Sequence, residues 1–409
     1  MNFEKIKQAR YILEQTSHSL KVQALNAMAD NLLSCKDSIL KANALDLQNA
    51  THLSVAMRER LALNESKIEL MAKSVQEIAS LPNPLGQILK GWQSESGLRI
   101  EKVSVPIGVI GVIYESRPNV TSDSASLCFK SGNVCILKGG KEAKESNMSI
   151  AKILQDTLKK FSLPSECISV LQDYSRESVL EFIKQDKYID LLIPRGGEGL
   201  ISFISQNATI PTLKHDKGVC HLYIHKDSLL EEAIKIVINA KTQRPSTCNS
   251  IETLLIHKDI APSLLPLLYS ALKEKGTQIK ASQGVQELLP ERVEDLESED
   301  FSKEYGDNIL NIAIVEDLES AIEHINTYGS KHSEGILTRD IRSAEKFLNE
   351  IDASCVYLNA STRFSDGGEF GFGAEIGIST NKLHARGPVG LEGLVTYKYK
   401  IYGDWQVRG

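Results

Sequence analysis

Pro106-Ile107-Gly108-Val109-Ile110-Gly111-Val112-Ile113-Tyr114-Glu115-Ser116-Arg117-Pro118-Asn119 begins as an unbroken run of β-branched residues and glycines and ends in a polar turn. Its apolar part is too short for an ordinary helix and shows no polar alternation, which predicts a strand buried on both faces. The same pattern recurs downstream. Val134 to Leu137, Ile168 to Leu171 and Ile189 to Ile193 are short apolar runs, and between them Ile150, Ile153, Leu154, Leu158 and Phe161 keep helical spacing. Strands alternating with helices predict an α/β fold with a parallel sheet, whose ligands sit at the carboxyl ends of the strands. Three of those ends are polar or glycine-rich: Glu115 to Asn119, Lys138-Gly139-Gly140-Lys141, and Pro194-Arg195-Gly196-Gly197. A nucleotide-binding domain is the expectation. Gly108-Val109-Ile110-Gly111 is only a fragment of Gly-x-Gly-x-x-Gly, so it reads equally as a strand with close backbone contacts or as part of a cofactor site.

Upstream, the first ninety residues read as helix. Leu20, Ala24, Ala27 and Met28 recur at three- and four-residue spacing, as do Ile68, Met71, Ala72 and Val75, until Leu81-Pro82-Asn83-Pro84 breaks the pattern. A second series starts near Gly218. Val219 to Ile224 predicts a strand, and Ser228-Leu229-Leu230-Glu231 predicts a capping box opening a helix through Ala240. Thr253 to Ile256, Ile309 to Val315 and Val356 to Leu358 predict further strands. Glu291 to Asp300, with six acids and one arginine, reads as a solvated surface segment. Leu394 to Tyr402 is β-rich and reads as an arm that pairs with another subunit. The expected domains are residues 1–217, a discontinuous cofactor domain with a β-hairpin near 97–106; residues 218–383, a catalytic domain; and residues 384–409, a return segment with the β arm.

The 409 residues are 42% hydrophobic and 24% charged, which excludes a disordered or collagen-like chain. A net charge of −6 makes nucleic acid and anionic membranes poor partners, while leaving room for a basic pocket that takes one small anion. The seven cysteines are scattered and form no Cys-x-x-Cys pair, so a disulfide framework is not expected and a reducing, cytoplasmic compartment is. His215, Cys220, His221 and His225 have no recognised ligand spacing, and on a strand Cys220 and His221 point to opposite faces, so no metal is expected.

Chemistry concentrates in Asn239-Ala240-Lys241-Thr242-Gln243-Arg244-Pro245-Ser246-Thr247-Cys248-Asn249. A cysteine in a loop just past a helix is either a small buried apolar residue or a nucleophile. As a nucleophile it needs exposure, polar surroundings that favour the thiolate, and donors for the oxyanion that forms after attack. Arg244, the side chain of Asn249 and nearby backbone N–H groups are the local candidates.

This loop resembles the catalytic loop of the aldehyde dehydrogenase superfamily, and more specifically of its branch that reduces γ-glutamyl phosphate. The resemblance extends in order through Tyr114-Glu115-Ser116-Arg117-Pro118-Asn119-Val120-Thr121, Ser131 to Gly140, Ile193 to Gly197, Phe370 to Thr380 and Leu383 to Leu391. Ser246-Thr247 departs from it, since smaller residues are usual there. The resemblance implies a Rossmann-type cofactor domain, an α/β catalytic domain, a β oligomerisation arm, and assembly into a dimer or a tetramer built from dimers. It further implies that Cys248 displaces phosphate from L-glutamyl 5-phosphate as a thioester, which hydride from NADPH reduces to L-glutamate 5-semialdehyde on the way to proline. The alternative is another superfamily member with a different acyl donor, such as a CoA thioester.

By resemblance, Asn119 donates to the oxyanion, Lys138 reaches the adenosine ribose, the turn Arg195-Gly196-Gly197 lies near the pyrophosphate, and Glu304 holds the nicotinamide ribose. Lys141 stands where NAD-preferring relatives often carry an acid, which favours NADP(H), because a lysine attracts a 2′-phosphate. Arg117 and Arg386 are either clamps for a substrate carboxylate or phosphate, or members of structural ion pairs. Aldehyde-oxidising relatives activate water with a glutamate. His215, 33 residues before Cys248, falls near that place and either acts as a base or has no chemical role.

Overall fold

Side-chain caps and apolar spacing build the N-terminal helices one at a time. Asn2 accepts from the Lys5 N–H and starts Phe3–Gln15, which buries Ile6, Ala9 and Leu13. Ser17 caps His18–Ser34, Ser54 caps Val55–Leu61 and Asn64 caps Glu65–Ser80, with Lys36–Asn49 between them. The last of these buries Ile68, Met71, Ala72, Val75, Ile78 and Ala79 on one stripe. Helix stops at Ser80, at the expected break Leu81 to Pro84, and a strand begins at Ile88. The structure, a computed structural model, describes residues 1–51, 53–214 and 217–408.

Two compact units result: Met1–Lys214 with Gly371–Gly377 and Pro388–Gly409, and His215–Phe370 with Ile378–Gly387. Against the expected boundaries, 371–377 therefore belongs with the first unit and 384–387 with the second.

In the first unit, β1 (Ile88–Gln93) and β2 (Arg99–Pro106) form an antiparallel hairpin, so the hairpin expected near 97–106 starts earlier. The strand Val395–Tyr402 runs antiparallel along the other edge of β2, from Val395 opposite Pro106 to Tyr402 opposite Arg99. The expected arm is thus paired within its own chain along one edge. A four-stranded parallel sheet follows, from β3 (Val109–Tyr114), β4 (Val134–Lys138), β5 (Ile168–Val170) and β6 (Leu191–Arg195), in the order β5-β4-β3-β6. All six residues of β3 are buried. β4 lies on one side of β3 and β6 on the other, so the winding reverses at β3, the switch point at whose carboxyl end open parallel sheets bind ligands. Gly108 and Gly111 serve packing at the other end of β3. Gly108 has φ +137°, and a Cβ there would lie 2.2 Å from Asp190 Oδ2; one on Gly111 would lie 2.7 Å from the Leu192 side chain.

The second unit holds a seven-stranded parallel sheet. Its strands are β7 (Cys220–Ile224), β8 (Ile251–His257), β9 (Gln278–Ala281), β10 (Glu294–Asp295), β11 (Ile309–Val315), β12 (Ser333–Leu337) and β13 (Cys355–Leu358), in the order β10-β9-β11-β8-β7-β12-β13. Alternate residues feed two cores. Leu222, Leu254 and Ile256 join Leu264 and Leu268 on one face, and Tyr223 and Leu255 join Ile325 and Phe347 on the other.

Two local expectations fail here. Ser228 does not cap the helix Leu230–Thr242, because its hydroxyl donates to the Leu337 carbonyl instead. The acidic segment is not wholly solvated: Asp300 is buried, accepts from Lys303 Nζ at 2.9 Å and from the Glu297 N–H at 3.1 Å, and pairs with Lys280 at 3.2 Å. Among the described residues, no helix is long and apolar enough to cross a membrane.

Candidate active site

The sequence-derived site residues divide between the units. Arg117, Asn119, Lys138, Lys141, Arg195, Gly196 and Gly197 fall at the carboxyl edge of the first sheet, whereas Cys248, Asn249, Glu304 and Arg386 belong to the second unit.

In the first unit, side chains tie the three turns together. Glu115, just past β3, accepts the Gly197 N–H at 2.9 Å, and Ser116 N and Oγ each donate to Glu142 Oε1 at 2.7 Å. A Cβ on Gly196 would meet Glu115 Oε2 at 2.6 Å, and one on Gly140 would meet Glu142 Oε1 at 2.1 Å, so these carboxylates lie directly against the glycine turns. The Gly197 N–H expected near a pyrophosphate is therefore occupied by a carboxylate. Arg117 is exposed beside Pro118. Asn119 opens the helix Asn119–Lys130 and donates to Asp123 Oδ2 at 3.0 Å. Burial pushes the Asp123 carboxyl up to about 6, against the pull of the Asn119 hydrogen bond and the Arg195 charge. Arg195 packs on Gly377, where a Cβ would lie 2.8 Å from its Nη1.

Lys138, the last residue of β4, is buried; its Nζ donates to Gly139 O at 2.9 Å and stands 4.4 Å from the centre of the Tyr174 ring. Burial pulls the Lys138 ammonium down. Tyr174 Oη is buried and has no hydrogen-bond partner among the described residues. An ammonium and an unsatisfied hydroxyl at the carboxyl end of a central strand fit the hydroxyls of a nucleotide ribose. Lys141 is exposed and starts the 3₁₀ turn Lys141–Ala143 next to them.

In the second unit, Cys248 precedes β8 and so lies at the amino edge of its sheet. Cys248 and Cys35 are half-buried, and the other five cysteines are buried. The Cys248 backbone is tightly held. Cys220 Sγ donates to its carbonyl at 3.1 Å, and a Cβ on Gly218 would come within 2.2 Å of Cys248 O and 2.5 Å of Cys248 Cα. Burial pushes the Cys220 thiol well up, so it stays a neutral donor. His221 is elsewhere engaged, with its Nδ1 3.1 Å from Glu334. His215 lies outside the described residues.

Asn249 is bound into the loop on both sides of its amide. Its amide donates to Ser365 O at 3.0 Å and to Arg363 O at 3.4 Å, and its Oδ1 accepts from Thr247 Oγ1 at 2.9 Å, so its side chain fixes the loop. Arg386 is likewise drawn into an ion-pair cluster. It meets Asp352 at 2.9 Å, together with Lys382 at 2.8 Å and Lys331 at 3.2 Å, and these cations hold the Asp352 carboxyl far down. Glu304 is exposed, and its charge reaches Glu252. Glu252 forms a fully buried pair with Lys241 at 2.9 Å; burial raises the carboxyl to about 7, opposed by Lys241 and aided by Glu304. Sequence reasoning missed Gly218 and Arg363, both set against the cysteine loop.

One unit with a four-stranded parallel sheet and a second with a seven-stranded parallel sheet, a half-buried cysteine held just before β8, define an α/β protein of the aldehyde dehydrogenase fold. The chain belongs to the aldehyde dehydrogenase family, whose model matches residues 4–286 and 297–378, and is thus an oxidoreductase of a family that uses a nicotinamide cofactor. Within it, the chain is 57% identical over 407 residues to the gamma-glutamyl phosphate reductase of Sulfurimonas denitrificans, covering 99% of each chain. It is 47% identical to the protein of that name from Escherichia coli, covering 98% of each. The crystal structure of gamma-glutamyl phosphate reductase from Thermotoga maritima superimposes with a TM-score of 0.97 at 43% identity, covering 100% of this chain and 99% of that one.

Proposed function

We propose that this chain reduces L-glutamyl 5-phosphate to L-glutamate 5-semialdehyde and phosphate with NADPH, in the route to proline. The reading is supported most by its full-length similarity to relatives named for that reaction. Cys248 attacks the acyl carbon; the C–S bond forms as the C–O bond to phosphate breaks, and the electron pair leaves on the phosphate oxygen. NADPH, when bound, would supply the hydride that reduces the thioester. Collapse of the resulting thiohemiacetal returns the thiolate of Cys248. Lys138, Lys141, the Arg195–Gly197 turn and Glu304 would hold the cofactor, with Lys141 favouring the 2′-phosphate. Asn119 would donate to the oxyanion, with Asn249 positioning the loop. Arg117 would meet the substrate's carboxylate, while Arg386 keeps its partner Asp352. Tyr397, Tyr399 and Ile401 lie exposed on the strand 395–402, where a second copy would pair to form a homo-oligomer.

The test runs the reaction backwards. Oxidation of glutamate 5-semialdehyde by NADP+ should require phosphate or arsenate, because His215, and not a glutamate, falls 33 residues before Cys248, where aldehyde-oxidising relatives carry the base that hydrolyses the thioester. Steady release of free glutamate in phosphate-free buffer, at a rate comparable to the phosphate-supported one, would refute the proposal. Support by CoA in place of phosphate would point to the other acyl donor.

A further inference from the structure

The turn 361–365 is laced onto the cysteine loop from both sides of Cys248. Thr362 Oγ1 donates to Asn249 O at 2.7 Å, after the cysteine. Arg363 Nη1 donates to Thr247 Oγ1 at 2.8 Å, before it, and Arg363 Nε donates to Gln243 Oε1 at 3.1 Å. The guanidinium is therefore fixed by two uncharged acceptors on the strand of chain that carries the nucleophile. Arg244, on the same loop, is exposed. Among the described residues neither arginine forms an ion pair with a carboxylate. Asp366 is the acid whose charge reaches Arg363.

From the rest of its surroundings Arg363 feels burial first, then repulsion from Arg244, both of which disfavour its charge, while Cys248 and Asp366 favour it. Two guanidiniums that repel each other beside a nucleophile make a site for an anion carrying more charge than one thiolate. A phosphoryl group is such an anion, and in an acyl phosphate it is bonded through one oxygen to the carbon that Cys248 attacks. The carboxylate of a glutamyl substrate lies at the far end of its chain and cannot occupy the same place.

We propose that Arg363, assisted by Arg244, is the subsite for the phosphoryl group. It takes up the negative charge that develops on the leaving oxygen as the C–O bond breaks, and in the reverse direction it receives the inorganic phosphate that attacks the thioester. This rests on the acyl-phosphate reading above.

The experiment measures semialdehyde oxidation by NADP+ over a range of inorganic phosphate for full-length wild type, Arg363→Gln, Arg363→Lys and Arg244→Gln, alongside the pH profile of Cys248 alkylation by iodoacetamide. Arg363→Gln should raise the KM for phosphate about tenfold or more while the KM for semialdehyde stays within roughly threefold, and Arg363→Lys should recover part of the loss. The Arg244 side chain is exposed, and the hydrogen bonds this residue makes, from Thr247 Oγ1 at 2.8 Å and the Thr247 N–H at 3.2 Å, go to its backbone carbonyl, which a glutamine keeps, so it can be changed with little risk to folding. Arg244→Gln should raise the phosphate KM about threefold or more, so the test survives if Arg363→Gln does not fold. An unchanged phosphate KM in both glutamine variants overturns the subsite. So does a shift in the alkylation profile with no change in phosphate KM, which would make the arginines partners of the thiolate alone. A wild-type rate that ignores phosphate would instead overturn the acyl-phosphate reading, so the two failures are distinguishable.

Discussion

Replacing Gly218 with alanine adds a single methyl group directly against the nucleophile. Its Cβ would stand 2.2 Å from Cys248 O, 2.5 Å from Cα and 2.7 Å from the carbonyl carbon, all backbone atoms. Carbon contacts rest at roughly 3.5–4.0 Å, so residue 218 or the cysteine loop must retreat by about 1 Å. The φ of Gly218 lies outside the left-handed region, so alanine is allowed there and the effect is purely steric. Overpacking of this kind costs about 1–3 kcal/mol of stability. A nucleophile misplaced by about 1 Å loses about 10²-fold in rate, or about 2.7 kcal/mol of barrier. The assay pairs kcat for semialdehyde oxidation with the rate of Cys248 alkylation and with Tm, and Gly284→Ala serves as control, since its Cβ would meet nothing closer than Ile314 Cδ1 at 3.7 Å. A Gly218→Ala enzyme with kcat within about threefold of wild type and an unchanged Tm would refute the reasoning.

The Lys241–Glu252 pair is completely buried. Glu252→Ala should cost about 3–5 kcal/mol by stranding the lysine, whereas the double change Lys241→Met with Glu252→Leu should recover most of it in denaturant titrations. Asp300 has its carboxyl depressed from 3.8 to about 2 by hydrogen bonds from Lys303, Lys280 and the Glu297 N–H, which outweigh burial. Its contribution is therefore present above about pH 4 and lost as pH falls toward 2; Asp300→Asn should remove about 1–2 kcal/mol at pH 7 and flatten the acid limb of the stability curve. Lys141→Glu should raise the KM for NADPH far more than that for NADH, and equal wild-type kcat/KM for the two cofactors would contradict the assigned role of Lys141.

The strands that were legible in the sequence are the apolar ones. Ile309 to Val315 matches β11 residue for residue, and the reading of β3 and β4 holds to within two residues at either end. β12 was not legible, because Ser333-Glu334-Gly335 carries no apolar pattern. Its buried Glu334 is tolerated through partners as remote as the His221 N–H, 113 residues away. The same distinction divides the site. Cys248 and the turns beside Lys138 and Arg195 are local motifs. Arg363 and Thr362 reach the cysteine loop across separations of 113 to 120 residues, which no local pattern encodes. One signal was available: the polar run Ser361-Thr362-Arg363-Phe364-Ser365-Asp366-Gly367-Gly368 follows a strand and leads directly into the glycine-rich block at Phe370. Ser228 shows the opposite error, in which a correct local motif is overridden by a stronger partner in the Leu337 carbonyl.

The central claim is that Cys248 carries the acyl group. The most direct measurement mixes the enzyme with glutamate 5-semialdehyde and NADP+ in phosphate-free buffer, quenches in acid, and maps the peptides by mass spectrometry. The account predicts a single-turnover burst of NADPH and a glutamyl adduct on the peptide containing Cys248, discharged on adding phosphate. A burst without that adduct, an adduct on the other half-buried thiol, Cys35, or an adduct that water discharges as fast as phosphate does would contradict it.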